Sequence, residues 1–130
     1  MSPSARLLAL ETNSDFVREL RKDFSDDRLT VVHGSAADLE QYVTEASFGD
    51  VELVVSGIPF STMPPAVRDR VIDAVARILA PDGSFVVYQY ANHVLEPLER
   101  RFGQVQRELE WRNLVPVRVF RCMQPRPSRV

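Results

Sequence analysis

Glu11 is the first residue of this sequence whose type and position could do chemistry. It ends the apolar run "RLLALE" (residues 6–11), which is typical of a short buried strand. A carboxylate at the carboxyl end of such a strand can accept hydrogen bonds from two hydroxyl groups of a ribose. The alternative is an acidic residue at the start of a helix, where the helix dipole favours it. Glu11 is thus a candidate nucleoside ligand or a helix-start residue.

A second polar stretch, "HGSAADL" (33–39), follows the strand-like run "LTVVHG" (29–34). Gly34 permits a backbone angle that other residues avoid, and Ser35 offers a short polar contact. Asp38 could cap the helix that follows. A turn and a helix cap explain the same residues without a ligand, so both interpretations stay open.

The third stretch, "VVSGIPF" (54–60), combines a strand end, a glycine, a rigid proline and an aromatic ring. Ser56 could accept a hydrogen bond from a reacting amine or donate one to it. Phe60 could stack on a substrate or shield it from water. The alternative is a loop that only introduces the next helix at Pro65, with the ring of Phe60 in the core.

Strands and helices alternate around these stretches. Phe16, Leu20 and Phe24 share one helical face, and Ser14 is the expected N-cap of that helix. The alternation predicts an α/β sheet with helices on both faces and a C-terminal antiparallel hairpin. The expected strands are 6–11, 29–34, 51–56, 84–91, 104–109 and 115–123; the expected helices are 15–24, 37–46, 65–80 and 94–103; 81–83 is an expected turn.

Composition sets further limits on the chain. Its 130 residues are enough for one domain, expected over residues 1–122, with a disordered tail at 123–130. A net charge of −2 makes nucleic acid an unexpected partner, although residues 66–130 carry 11 arginines against 7 acidic residues and could meet an anionic surface.

One cysteine fits a reducing cytoplasm. The two histidines lack metal-ligand spacing, and no apolar run is long enough to span a membrane.

Taken together, these pieces resemble a known enzyme family. "LLALETNSDFVREL", "LTVVHGSAADL", the segment from "VELVVSGIPFSTMPP" to "LAPDGSFVVYQY", and "WRNLVPVRVFR" are similar to the Rossmann-type S-adenosylmethionine-dependent methyltransferases. The branch with the greatest likeness is the phospholipid N-methyltransferase-like group, which shares its post-strand motif with the rRNA adenine dimethylase type. The likeness covers residues 5 to about 122.

The resemblance implies S-adenosylmethionine as the cofactor and an amine, such as an aminophospholipid headgroup, as the methyl acceptor. It implies that Glu11 binds the ribose hydroxyls and that Gly34, Ser35 and Ala36 lie near the adenine. The cofactor-side residues Ser56 and Gly57 and the substrate-side residues Ile58, Pro59 and Phe60 would line the methyl-transfer cleft. No residue stands out as a general base. Ser35 and Ser56 replace an aspartate and an asparagine or aspartate that relatives carry.

The resemblance also implies a missing first strand. Family members begin with a strand and a Gly-x-Gly-x-Gly turn, and that strand lies between the strands matching 6–11 and 51–56. Unpaired buried backbone groups cost about 1–3 kcal/mol each, so something must fill this gap. The first strand could slide across, or a second copy could pair with the edges; we predict a homodimer, cytoplasmic and peripheral to the membrane. The alternatives are a non-catalytic binding module and a sequence without its natural front end.

Overall fold

The computed structural model describes residues 5–58, 60–89, 95–110 and 117–126. Over these ranges the expected alternation of strands and helices is confirmed. The elements in chain order are β1 (Leu7–Glu11), α1 (Ser14–Asp23), β2 (Leu29–His33), a 3-10 turn (Ala36–Asp38), α2 (Leu39–Glu45), β3 (Val51–Ser56), a second 3-10 turn (Phe60–Thr62), α3 (Pro65–Ile78), β4 (Leu79–Gln89), α4 (Leu95–Arg101), β5 (Phe102–Glu110) and β6 (Val117–Pro125).

The strands form two sheets. β1 and β2 pair in parallel, with Glu11 opposite His33. The other four strands follow the order β3-β4-β6-β5, in which β3 and β4 are parallel while β6 is antiparallel to both of its neighbours. The predicted α/β class and the predicted antiparallel pair at the C-terminal end are therefore confirmed.

The interruption between the two sheets lies at the expected position of the missing strand. Among the described strands, β1 pairs only with β2 and β3 only with β4, so β1 has not moved across to β3. The Arg6 guanidinium, just before β1, donates to the carbonyls of Ala46 (2.7 Å) and Ser47 (3.2 Å) and lies over the Phe48 ring. Because the segment 46–48 leads into β3, this contact shows that β1 and β3 start at the same end of the molecule.

The core lies on one face of the larger sheet, beneath α3. Pro65 opens α3 at its first turn, where a missing N–H costs nothing, and Val71, Ile72 and Val75 of this helix are almost fully buried. Phe85 of β4 is fully buried, and its ring lies 5.9 Å from that of Phe102. The inner residues of β1 and β3 also pack against this core, so the two sheets share it.

Two local expectations are wrong. Asn13, not Ser14, caps α1, because its side-chain oxygen accepts from the N–H groups of Asp15 and Phe16. Residues 81–83 do not end an element but lie inside β4. The strand register jumps there, from Val51 opposite Leu79 to Leu53 opposite Ser84, so the expected turn is a bulge within a continuous strand.

The C-terminal strand extends beyond the predicted domain limit at residue 122. β6 continues to Pro125, and the Arg126 N–H donates to the Arg101 carbonyl at 2.8 Å. The rest of the predicted tail, residues 127–130, lies outside the described residues. Across the part of the chain that the structure describes, no helix combines the length and apolarity needed to cross a membrane.

Cys122 should be chemically inert in the folded chain. It is fully buried on β6, and burial raises the pKa of its thiol to about 12. Because the thiolate is the reactive form, we expect no reaction with a disulfide reagent at pH 8 until the chain is unfolded. The control is Thr30→Cys, which places a second thiol at an exposed position of β2. Reaction of Cys122 as fast as that of the control thiol would contradict its burial.

Candidate functional site

The first part of the candidate site lies at the carboxyl end of β1 and β2. Glu11 and His33 are opposite each other, and the Gly34 N–H donates to the Glu11 carbonyl at 3.1 Å. Because Ser35 and Ala36 follow directly, the structure brings the ribose-side acid and the adenine-side residues of the sequence prediction together.

Hydrogen bonds hold the loop that carries Glu11. One oxygen of its carboxylate accepts from the Asn13 N–H at 3.0 Å, and Asn13 in turn caps α1. The His33 ring nitrogen Nε2 lies 2.9 Å from the Thr12 carbonyl, so it must be the donor in this pair. Glu11 is only partly buried. The carboxylate is thus held in place locally and is still accessible at the edge of the sheet.

Ser35 and Asp38, which follow β2, both make contacts that hold the local structure. The Ser35 hydroxyl accepts from the Ala37 N–H at 3.1 Å and so caps the short turn that follows β2. Asp38 stands before α2 but makes no side-chain cap; its carboxylate pairs instead with Arg70 of α3 at 3.2 Å. The expected helix cap at Asp38 is therefore wrong, because the ion pair to α3 takes its place.

Gly34 is needed for a close approach rather than for an unusual backbone angle. It is not among the residues with positive φ, which corrects the sequence expectation. A Cβ atom at this position would lie 2.6 Å from Cζ of the Tyr42 ring. Tyr42 of α2 was not predicted as part of the site. The sequence carries only a weak indication of this contact, because an aromatic residue on a helix near a strand-end glycine usually packs in the core.

This close approach predicts a difference between two glycines of the site. Gly34→Ala should destabilise the chain by about 1–3 kcal/mol, because the Tyr42 ring must move. Gly57→Ala is the control, since a Cβ there meets nothing within 4 Å and its effect should stay within about 0.5 kcal/mol. Urea unfolding of both variants measures the difference. Equal stabilities would show that the Tyr42 contact does not constrain residue 34.

The second part of the site is the segment after β3. Ser56 is 8% exposed, and its hydroxyl accepts from the Ile58 N–H at 3.2 Å. Gly57 is exposed with open space around it, and Ile58 is partly buried. Pro59 lies outside the described residues. Ser56 therefore shapes the loop, and the open side of the loop is at Gly57.

Phe60 does not lie where the sequence prediction put it. Its side chain is 2% exposed and belongs to the core, so it lines no cleft in this structure. The alternative left open by the sequence, in which the ring is buried below the loop, is what the structure shows. Phe60 begins the 3-10 turn Phe60–Thr62, and Met63 and Pro64 separate this turn from α3. A buried ring under this turn anchors the loop against the sheet.

The two parts of the site lie on separate sheets, each at the carboxyl end of parallel strands. Glu11 and Gly34 belong to the β1–β2 sheet, and Ser56 and Gly57 to the four-stranded sheet. In α/β sheets, ligands bind at the carboxyl ends of the strands, which is where both parts lie. The first part combines a positioned carboxylate, Glu11, with the small residues Gly34, Ser35 and Ala36. A cavity of about 210 Å³ lies elsewhere, between α3 and α4, and none of the predicted site residues lines it.

Comparison with known proteins confirms the resemblance seen in the sequence. No family model matches the chain. An ornithine lipid N-methyltransferase from Singulisphaera acidiphila is 32% identical over 122 residues, covering 92% of this chain. The chain spans 64% of the length of that curated relative.

Solved structures show the same fold at lower identity. An rRNA methylase from Streptococcus thermophilus has a TM-score of 0.73 at 13% identity, over 93% of this chain and 74% of its own. The N-methyltransferase NodS from Bradyrhizobium japonicum, solved with S-adenosyl-L-homocysteine, has a TM-score of 0.70 at 16% identity, over 93% of this chain and 67% of its own. The chain therefore has the Rossmann-like fold of class I methyltransferases.

Proposed function

We propose that this chain is an S-adenosylmethionine-dependent N-methyltransferase, or the part of one that holds the nucleoside, and that its acceptor is the amine of a lipid headgroup. The observation that carries the proposal is the 32% identity to an ornithine lipid N-methyltransferase over 92% of the chain. The placement of Glu11 beside Gly34 supports it, because a carboxylate at this edge suits a ribose.

The cofactor would lie along the carboxyl ends of the parallel strands of both sheets. Glu11 would accept hydrogen bonds from the ribose hydroxyls with the carboxylate oxygen that does not hold the Asn13 N–H. Gly34, Ser35 and Ala36 would lie beside the adenine, with the Tyr42 ring behind Gly34. Ser56 and Gly57 would face the sulfonium side, where Gly57 leaves open space. These residues bind and orient; we assign no catalytic residue.

When bound at Glu11, Gly34 and Ser56, S-adenosylmethionine would supply an electrophilic methyl group for transfer to the amine nitrogen, with cleavage of the S–C bond and formation of an N–C bond. The chain would contribute by positioning the amine in line with that methyl and by limiting access of water. Ile58, partly buried beside the open side of Gly57, would line the acceptor side. Pro59 is assigned to the acceptor side by the resemblance alone. The proton released by the amine would pass to solvent.

A lipid acceptor would place the chain at a membrane surface on the cytoplasmic side. Arg100, Arg107 and Arg121 are exposed in the C-terminal half and would meet anionic headgroups. Arg101 is not available in this way, since it pairs with Asp73 of α3 at 2.6 Å and its side chain is 14% exposed. Contact with anionic lipid would therefore depend on a few exposed arginines and should weaken as salt is raised.

Self-association is a further part of the proposal. Leu53 and Val55 of β3, Phe16 of α1 and Phe24, the residue after α1, are more than half exposed. Exposed apolar surface of this kind favours association, so we propose that the isolated chain forms a homodimer through these side chains. Light scattering at micromolar concentration tests this proposal. A monomeric mass would contradict the homodimer.

A non-catalytic binding module is the second candidate function, and the interrupted sheet favours it. Without a strand between β1 and β3, no described backbone supports the methionine end of a cofactor. Transfer of a radiolabelled methyl group from S-adenosylmethionine to vesicles containing ornithine lipid decides between the two. Label in the lipid supports the enzyme, and vesicles whose lipids lack a primary amine are the control. No transfer, together with no binding of S-adenosylhomocysteine at millimolar concentration, would favour the module, which in this alternative has lost cofactor binding.

A further inference from the structure

The cavity between α3 and α4 lies apart from the candidate site and takes one face of each helix as a wall. Its volume is about 210 Å³. The residues that line it are Asp69, Ile72 and Asp73 of α3 and Pro97, Arg100 and Arg101 of α4. On both helices these residues are spaced i, i+3 and i+4, which places them on a single helical face.

The cavity has an apolar floor and a charged rim. Ile72 is almost fully buried and Pro97 is buried, so the floor is apolar. The other four side chains are two carboxylates on the α3 wall and two guanidinium groups on the α4 wall. Their formal charges cancel, but opposite signs face each other across the cavity. The space equals that of about seven liquid water molecules, so it suits only a small molecule.

The two carboxylates of the α3 wall are held in place. Both contacts of Asp69 with Arg68 use one oxygen, Oδ1, at 3.0 and 3.1 Å. Asp73 also uses Oδ1, which lies 2.6 Å from Nε of Arg101. The two aspartate side chains are still 45% and 41% exposed. Because like charges four residues apart on a helix repel each other, a ligand ammonium group beside them would be stabilising.

The two arginines of the α4 wall differ in their surroundings. Arg101 is mostly buried, since it pairs with Asp73 and donates to the Arg126 carbonyl, while the Arg126 N–H donates back to the Arg101 carbonyl at 2.8 Å. Arg100 is exposed, and within the described ranges it makes no ion pair. Arg100 is therefore the cation that this wall offers to a ligand, and a guanidinium binds a carboxylate through two parallel hydrogen bonds.

We propose that this cavity binds a small zwitterion that carries an amine and a carboxylate. The amine donates to Asp69 and Asp73, the carboxylate accepts from Arg100, and the carbon stem lies over Ile72 and Pro97. A simple cation or a simple anion would match only one of the two walls. The inference does not depend on methyl transfer, because the cavity shares no residue with the proposed nucleoside site.

NMR titration of the full chain with three probes of equal carbon number tests the inference. The zwitterion γ-aminobutyrate carries both charges, butylamine only the amine and butyrate only the carboxylate. We expect γ-aminobutyrate to shift amide signals of α3 and α4 with a dissociation constant of about 1 mM, and each single-charge probe to bind at least about tenfold more weakly. No shift with γ-aminobutyrate, or equal binding of a single-charge probe, would overturn the inference.

A free amino acid and a lipid with an amino-acid headgroup offer the same two groups, and competition distinguishes these sources. Displacement of γ-aminobutyrate by vesicles containing ornithine lipid, but not by phosphatidylglycerol vesicles, would support the zwitterion site and identify a headgroup as its ligand. Displacement by neither would support the site and identify a free amino acid. Equal displacement by both would show that negative charge alone is recognised and would overturn the inference.

Three variants locate the probe. Arg100→Gln should weaken binding of γ-aminobutyrate about tenfold or more, and Asp69→Asn, which keeps the shape of the side chain, should weaken it by a similar factor. Glu99→Gln is the matched control, because Glu99 is exposed on α4 beside Arg100 and does not line the cavity. Its affinity should stay within about twofold. Unchanged affinity of Arg100→Gln would place the probe elsewhere and overturn the inference.

Discussion

Replacing Glu11 with alanine should weaken binding of S-adenosylhomocysteine roughly 10- to 100-fold. Hydrogen bonds to a charged group contribute about 1.5–3 kcal/mol, and about 1.4 kcal/mol corresponds to a factor of ten in affinity. Glu11 is partly exposed at the end of β1, and the Gly34 N–H holds its backbone in place. Isothermal titration of both proteins with the nucleoside measures the difference.

Two control variants distinguish the loss of ribose recognition from a disturbance of the loop that carries Glu11. Glu11→Gln keeps an oxygen for the Asn13 N–H and loses only the charge, so its loss of affinity should be smaller than that of Glu11→Ala. Glu19→Ala removes an exposed carboxylate from α1 and should not change the affinity. Equal affinities of Glu11→Ala and the unmodified chain would show that Glu11 does not bind the ribose.

Replacing Phe85 with alanine should destabilise the chain by about 3–5 kcal/mol. The ring is fully buried, and it contacts Phe102 at a centroid distance of 5.9 Å. The free energy of unfolding of a whole domain is about 5–15 kcal/mol, so this one substitution would lower it by a large fraction. Urea unfolding followed by circular dichroism gives the free energy of unfolding for both proteins.

Phe16→Ala is the matched control for Phe85→Ala. Phe16 is 55% exposed on α1, so truncating it should change the free energy of unfolding by about 0.5 kcal/mol or less. The comparison must be made at a concentration where light scattering shows a monomer, because a dimer could cover Phe16. A loss at Phe16 as large as the loss at Phe85 would contradict the position of the core.

The regular elements were predictable because their patterns are local. The β-branched run at 51–56 is a strand with the predicted bounds, and Pro65 opens the predicted helix. The position of the gap also followed from the sequence, but only through the resemblance to a family whose sheet has one more strand. The strand register and the bulge at 81–83 did not follow, because they depend on contacts with β3.

The site was harder to predict than the sheet because loop side chains follow no period. Glu11 and Gly34 meet as expected, since the ends of neighbouring parallel strands must coincide. Phe60 lies in the core rather than at the predicted cleft, which is the alternative that the sequence left open. The spacing of Phe16 and Phe24 predicted one helical face, but both side chains are more than half exposed.

Isothermal titration of the unmodified chain with S-adenosylhomocysteine tests the central claim most directly. The claim is that the ends of β1 and β2 form a nucleoside-binding edge although the sheet is interrupted beside them. We expect saturable binding of one nucleoside per chain, with a dissociation constant of roughly 1–100 μM, or about −8 to −5.5 kcal/mol. No detectable heat at millimolar nucleoside would contradict it.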